Sequence, residues 1–249
     1  MNKTHFYPLS FSSMKAFSQS PAHFLAYKQR KQHETPAMRF GTAVHMAVLE
    51  PHKFDDAYQV ATARRGTKAH KEQQEAHPEA IFLTEGEMLD VISLRNAVRE
   101  HKTARQLFEQ CNAFEQEIRG NIMGHEFRGF ADAVSPTFTV DLKTTQKGNP
   151  WDFRSDAYRQ KYHVQGYIYT RLLSQALGRE VGEHWLVTVE KTSPYVVTCY
   201  RLSGSYLKRG ADDLQKMLKD FEQWDGAPQG YDAESAFGFF DLDVPTWAV

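Results

Sequence analysis

FADAVSPTFTVDLKTT, residues Phe130–Thr145, reads as two β-prone apolar runs on either side of a Ser135-Pro136 turn. Each run carries an aspartate where packing would place an apolar residue, Asp132 in the first and Asp141 in the second. With the turn centred on Pro136-Thr137, Asp132 faces Asp141 across the ladder. Directly opposed residues have Cβ atoms about 4.5–5.5 Å apart, and like charges there are destabilising. Lys143 stands two residues past Asp141 and projects from the same face, while Phe138, Val140 and Leu142 take the other face into the core. A one-residue slip of the turn would dissolve the facing pair.

Two carboxylates and an ammonium between apolar flanks call for compensation. A divalent cation provides it: Mg2+ takes one or two protein carboxylates and keeps several waters and phosphate oxygens, and Mn2+ suits the same oxygen-rich surroundings. A lysine beside the cation orients water and stabilises charge on a phosphate. On this reading Asp141→Ala abolishes the chemistry and, by removing repulsion, raises metal-free stability. An Asp-x-Lys triplet by itself is usually part of a solvated strand face, so the reading depends on its surroundings.

Those surroundings are helical before the hairpin and mixed after it. Ser10–Lys31 reads as two short helices divided at Ser20-Pro21. Phe40–Glu50, FGTAVHMAVLE, is a short apolar helix ended by Pro51. Residues 61–80 are polar, basic at the start and without a period, and read as a loop or mobile arm. Thr84 and Glu87 form a capping box that opens a long helix whose apolar stripe runs from Met88 to Leu107. AFEQEIRG (113–120) reads as a strand, followed by strands over 125–134 and 138–145, a helix over 156–176, a strand pair over 184–191 and 195–202, and a last helix over 205–224. The order is an α/β or α+β layering around one sheet.

The bulk numbers restrict little but exclude some classes. The chain has 249 residues, 41% of them hydrophobic, enough for one large domain with a real core. No apolar run approaches the ~18 residues of a transmembrane helix, and the start, MNKTHFYPLSFSSMKAF, has no secretory h-region. Two cysteines, Cys111 and Cys199, stand far apart and outside any metal-ligand spacing, which fits a reducing cytoplasm. The net charge of -1 leaves nucleic-acid binding open, because an acidic site and a basic track cancel in a sum. There is no G-x-S-x-G elbow and no P-loop lysine motif, so acyl transfer and ATP hydrolysis are poorly supported.

The spacing D-x(8)-D-L-K on adjacent strands, with a glutamate on the preceding strand and a helix after, resembles the PD-(D/E)xK nuclease core. His45 in FGTAVH and Gln165-x-x-x-Tyr169 in YHVQGYIY extend the likeness to nucleases of the RecB type. More closely, SFSSMKAFSQSPAHF, FGTAVHMAVLEP, ARRGTKAHKE, FADAV, DLKTT and YRQKYHVQGYIY resemble, in order and spacing over about residues 10–170, the RecE-type exonuclease domain of phages and prophages. The implied fold is an α/β PD-(D/E)xK core, a central mixed sheet flanked by helices. One nuclease domain would span 1–249: a mainly helical part (1–110), a catalytic sheet core (111–204), and a C-terminal helix and tail (205–249). The middle acid is Asp141 where Glu is commoner, which would shift a bound metal slightly.

The resemblance implies a metal-dependent 5′-to-3′ exonuclease on linear double-stranded DNA, located in the cytoplasm of a bacterial host or phage-infected cell. It would leave 3′ tails for a single-strand annealing protein, use Mg2+ (or Mn2+), with two ions, and form a homo-oligomeric ring. His45, Glu115, Asp132 and Asp141 would hold metal, Lys143 would position water, and Gln165 and Tyr169 would support Lys143 or touch the DNA backbone. Glu117, at i+2, stands on the same side as Glu115 in a regular strand; Glu115 is preferred. Ser13, Lys15, Arg39, Arg64 and Arg65, with Ser12 and Lys68, are candidates for gripping a 5′ phosphate. An iron–sulphur relative of the RecB type would need four cysteine ligands, and there are two cysteines. A nicking or structure-specific endonuclease, or a non-catalytic DNA-binding scaffold, are the competing functions. The aromatic tail with Phe237, Phe239, Phe240 and Trp247 packs on the core or on a neighbouring subunit.

Overall fold

The structure, a computed structural model, describes residues 3–29 and 35–231. The aromatic residues of the tail, Phe237 to Trp247, lie outside the described residues.

The N-terminal helices start where short polar side chains satisfy free N–H groups. Ser10 and Ser13 make a reciprocal capping box at α1 (Phe11–Phe17), and Pro21 opens α2 (Pro21–Gln29), as the sequence predicts. Thr35 caps α3 (Pro36–Leu49), so the FGTAVH helix begins a turn earlier than the apolar residues suggest. Pro51 both ends α3 and starts a further helix, α4 (Pro51–Ala57), leading into β1 (Tyr58–Val60).

The segment read as an arm contains α5 (Lys68–Ala76). It has no apolar stripe to betray it. Thr67 caps it, Lys68 and Glu72 pair at i, i+4, and its buried His70 packs edge-on to Phe82. Phe82 lies in β2 (Ile81–Leu83), which pairs in parallel with β1 as a small second sheet. The expected long helix is two, α6 (Glu85–Glu100) and α7 (Lys102–Glu109), because His101 leaves helical geometry and its Nδ1 caps Ala104 N–H. The stripe runs on regardless, since both helices send apolar residues into one cluster.

The main sheet follows the order β3 (Ala113–Ile122), β4 (His125–Val134), β5 (Phe138–Thr145), β6 (Glu183–Glu190), β7 (Val197–Arg201). Only β5 and β6 run parallel, joined by a crossover through α8 (Pro150–Arg159) and α9 (Tyr162–Leu177). The sequence reading has one helix over 156–176, which misses the start of α8 and runs through the break. That break falls at Gln160-Lys161, where Lys161 takes a left-handed backbone (φ 60), rare for a non-glycine residue and without local signal. The last helix, α10 (Gly204–Gln223), packs beside α9.

Each sheet face is covered. Side chains of α1, α2, α9 and α10 meet Ile118, Ile122, Phe127 and Ala131 on one face. Side chains of α3, α4, α6 and α7 meet Ala133, Val140, Leu142, Val187 and Val189 on the other. The central strand β5 is therefore buried on both faces, Thr139 and Asp141 included.

Candidate active site

The hairpin register is the one that places Asp132 opposite Asp141: Ala133 pairs with Val140 and Val134 with Thr139. The ladder stops there. Beyond it, Asp132 Oδ2 accepts the Leu142 N–H at 2.7 Å, in place of a backbone carbonyl. Phe138, Val140 and Leu142 enter the core as the alternation predicts.

On the other side of β4 the register flanks Glu115 with Phe114↔Ala133 and Gln116↔Ala131, which sets Glu115 opposite Asp132. Glu115 has φ 46, in the left-handed region. The strand alternation slips at this point. Phe127 and Ala131 join the cluster under α9, but Ala133 joins the opposite cluster and Val134 the first. The slip corrects the expectation that Glu117 shares the side of Glu115: a regular period of two fails across the kink. The Glu117 carboxylate instead binds Arg119 at 2.7 Å and lies 3.9 Å from Arg128.

The kink turns Glu115 toward Asp132 and toward His45, which α3 supplies. Ligand atoms of these three residues lie within 4.8 Å of one another, and His45 Nδ1 is 3.4 Å from Asp132 Oδ2. Burial, then the Asp132 charge, pushes the Glu115 carboxyl up to about 7. Burial and the neighbouring Asp141 raise Asp132 well above the usual carboxylate range. Burial, then Lys143, lowers the His45 pKa and favours its neutral, ligating form. Carboxyls driven toward protonation by burial and by one another are what a cation would relieve. The donor set, one imidazole nitrogen and carboxylate oxygens, fits a divalent ion with ligands at about 2.0–2.6 Å.

Asp141 stands outside that trio. Its Oδ1 accepts from Gln165 Nε2 at 2.8 Å, and its Oδ2 lies 2.5 Å from Lys143 Nζ. Burial disfavours the Lys143 ammonium, but the Asp141 carboxylate and the Tyr162 oxygen outweigh it and raise its pKa. Asp141 thus repels Asp132 but also balances a largely buried cation, which works against the expectation that Asp141→Ala raises metal-free stability. Tyr169 is buried beside the group, its hydroxyl pKa raised by burial and then by Asp141. Its ring fits against Gly129, where an added Cβ would stand 2.8 Å from Cε1.

Tyr162, the first residue of α9, has its ring 4.8 Å from Lys143 Nζ. No local pattern marks it, since the break at Lys161 resets the helix phase. Of the phosphate candidates, Ser13 is buried in the α1 cap, where its hydroxyl donates to Ser10 O. Arg65 is bound to Glu87 and to Phe82 O. Arg39, Arg64, Lys68 and Ser12 are exposed. Lys15 alone of the set is drawn to the site: it bonds Gln160, and burial, then the Lys143 and Lys161 charges, lowers its pKa.

Residues 10–227 match the family described as PDDEXK-like domain of unknown function (DUF3799). Among solved structures, the chain is similar to a protein described as "Putative exonuclease" from Eubacterium rectale, at 12% identity and a TM-score of 0.63, over 98% of this chain and 95% of that one. A phage-related exonuclease from Haemophilus somnus 129PT aligns over 63% of this chain and 84% of its own at 12% identity, with a TM-score of 0.34. No curated protein matches. With the mixed sheet, the β4–β5 aspartates and Lys143 in place, the chain belongs to the PDDEXK-like family.

Proposed function

We propose that the protein is a divalent-metal-dependent nuclease of the RecE type, degrading linear double-stranded DNA from 5′ ends and leaving 3′ single-stranded tails. The observation that carries this reading is the meeting of His45, Glu115 and Asp132 beside the Asp141–Lys143 pair, on a PDDEXK-like sheet. His45, Glu115 and Asp132 would hold the cation, which supplies an acidified water and charge neutralisation at the phosphate. Two ions, with Asp141 completing the second position, are part of the proposal.

This chain's own groups would do the rest. Lys143, set by Asp141 and by the Tyr162 ring, holds a positive charge at the developing negative charge of the phosphate. Gln165 fixes the Asp141 carboxylate, and Tyr169 closes the site from α9. Phosphate contacts read no base, which suits digestion of any sequence. A homo-oligomeric ring around the duplex and delivery of the tail to an annealing protein belong to the same proposal. Among the described residues no helix is long and apolar enough to cross a membrane.

The test is release of label from linear duplex DNA marked separately at each 5′ and 3′ end, with Mg2+ and with EDTA. Early loss of 5′ label that requires metal supports the proposal. Nicking of a closed circular plasmid would replace it with an endonuclease, and no release by folded protein with metal would leave a binding scaffold.

A further inference from the structure

One face of α8 alternates aromatic and basic residues. Trp151, Arg154 and Tyr158 recur at three- and four-residue steps and so share one face of the helix. All three are exposed, Trp151 by 78% and Tyr158 by 45%. Lys161 follows at the break before α9, half-buried where α8 ends. Neighbouring acids are already engaged: Asp152 with Lys147, Asp156 with Arg159, and Asp213 with His163 and Arg209. Arg154 and Lys161 have no ion pair of this kind among the described residues.

The tyrosine is held as a platform. Its ring lies flat on the imidazole of His163, with centroids 4.7 Å apart and planes 10° apart. His163 is buried and pinned through Nε2 to Asp213 at 2.9 Å. A cavity of about 800 Å³ opens here between α1, α9 and α10, with Tyr158, Lys161, Arg209 and Lys216 in its lining. The buried His163 Nδ1 beside it has no partner among the described residues. The C-terminal end of α8 adjoins the site through the chain: Lys161 precedes Tyr162, whose ring sits against Lys143, and Gln160 is bonded to Lys15.

We propose that this face binds single-stranded DNA, with Trp151 and Tyr158 stacking on bases and Arg154 and Lys161 on the backbone. Rings interleaved with cations suit unpaired strands, because every unpaired base offers a π-face. In a duplex those faces are covered by neighbouring base pairs, so an exposed tryptophan and a pinned tyrosine gain nothing from it. The inference rests on the DNA-cleaving reading of the adjoining site and names the strand: the one that digestion leaves unpaired. Two rings two helical turns apart, about 10 Å along the axis, give that strand a direction across the surface.

The experiment is equilibrium binding of fluorescein-labelled oligo(dT), and of a blunt duplex of the same length, to the full chain in EDTA, where no hydrolysis intervenes. Trp151→Ala and Tyr158→Ala should each weaken oligo(dT) binding about tenfold and duplex binding less than twofold. Arg154→Ala and Lys161→Ala should each lower the salt slope of oligo(dT) binding by about 0.7. Circular dichroism confirms that each variant is folded, and Trp151→Phe, which keeps a ring, should recover most of the affinity. Oligo(dT) affinity unchanged in the ring variants, or equal losses for oligo(dT) and duplex, would overturn the inference. Because binding is read without metal, it stands apart from the nuclease test: cleavage without this binding sinks the inference alone, and binding without cleavage sinks the nuclease reading alone.

Discussion

Asp132 Oδ2 accepts the Leu142 N–H at 2.7 Å, so a side chain does in this hairpin what a backbone carbonyl does in a regular ladder. The carboxylate is thereby tied to the strand that carries Asp141 and Lys143, and the two halves of the site cannot drift apart while the hairpin holds. The arrangement separates two roles that substitution can resolve. Asp132→Asn keeps an oxygen for Leu142 but loses a metal ligand; Asp132→Ala loses both. Both variants should lose nuclease activity. In urea unfolding with EDTA, Ala should cost about 1–3 kcal/mol for the stranded N–H, and Asn should cost little or nothing.

Asp141 should prove stabilising on balance. Removing it leaves the Lys143 ammonium without its partner at 2.5 Å. Breaking a buried pair costs about 3–5 kcal/mol, and since Lys143 keeps a one-fifth-exposed side chain, the lower end is expected for Asp141→Ala. Asp141→Ala with Lys143→Met should recover much of that loss. A double-mutant cycle showing no coupling between the two positions would contradict this account.

The His184 contribution to stability should fall as pH drops below neutrality, opposite in sign to that of Glu115 and Asp132, whose raised carboxyls make proton uptake stabilising. Burial holds the His184 pKa down at about 4, its Nδ1 is hydrogen-bonded to Thr139 at 2.6 Å, and it remains neutral in the fold. The unfolded chain takes up the proton below its ordinary value near 6.5, so stability present above that pH is lost progressively between about 6.5 and 4. The single-group contribution is about 3 kcal/mol over that window. The difference in unfolding free energy between the parent chain and His184→Asn should therefore shrink by about that amount as pH falls through the window, while the Glu115 and Asp132 contributions cancel in the comparison.

Cation binding should appear as a thermal shift. At free Mg2+ or Mn2+ one hundred times its dissociation constant, the fold gains about 2.7 kcal/mol. The shift should vanish in Glu115→Gln combined with His45→Ala, while urea unfolding without metal stays cooperative. A shift that survives the double substitution would place the cation elsewhere.

Packing makes a further contrast at two glycines. At Gly210 of α10 an added Cβ would stand 2.1 Å from the His163 carbonyl oxygen of α9, a backbone atom that cannot swing aside. At Gly86 in the first turn of α6 it would meet nothing within 4 Å. Gly210→Ala should cost about 1–3 kcal/mol or more and push the two helices apart. Gly86→Ala should be neutral or stabilising, by up to about 1 kcal/mol. Thermal melts of the two variants check both signs.

The sequence alone determined the hairpin, its register and the residues of the Asp-x-Lys strand. Alternation with period two and a Ser-Pro turn are local, and a slip would turn Phe138, Val140 and Leu142 out of the core. It also determined α1, α2, the capping box of α6 and the strand pair after α9, each marked by caps or breakers within a few residues. Only the tertiary structure decided what backbone geometry at a single residue controls. The left-handed Glu115 turns its carboxylate, rather than that of Glu117, toward Asp132 and His45. The left-handed Lys161 divides α8 from α9 and brings Tyr162 under Lys143. Neither residue type favours that conformation, and no local sequence signal marks it. The same holds for Asp141, whose partner was settled by where α9 sets Gln165 and by how closely Lys143 folds back on its own strand.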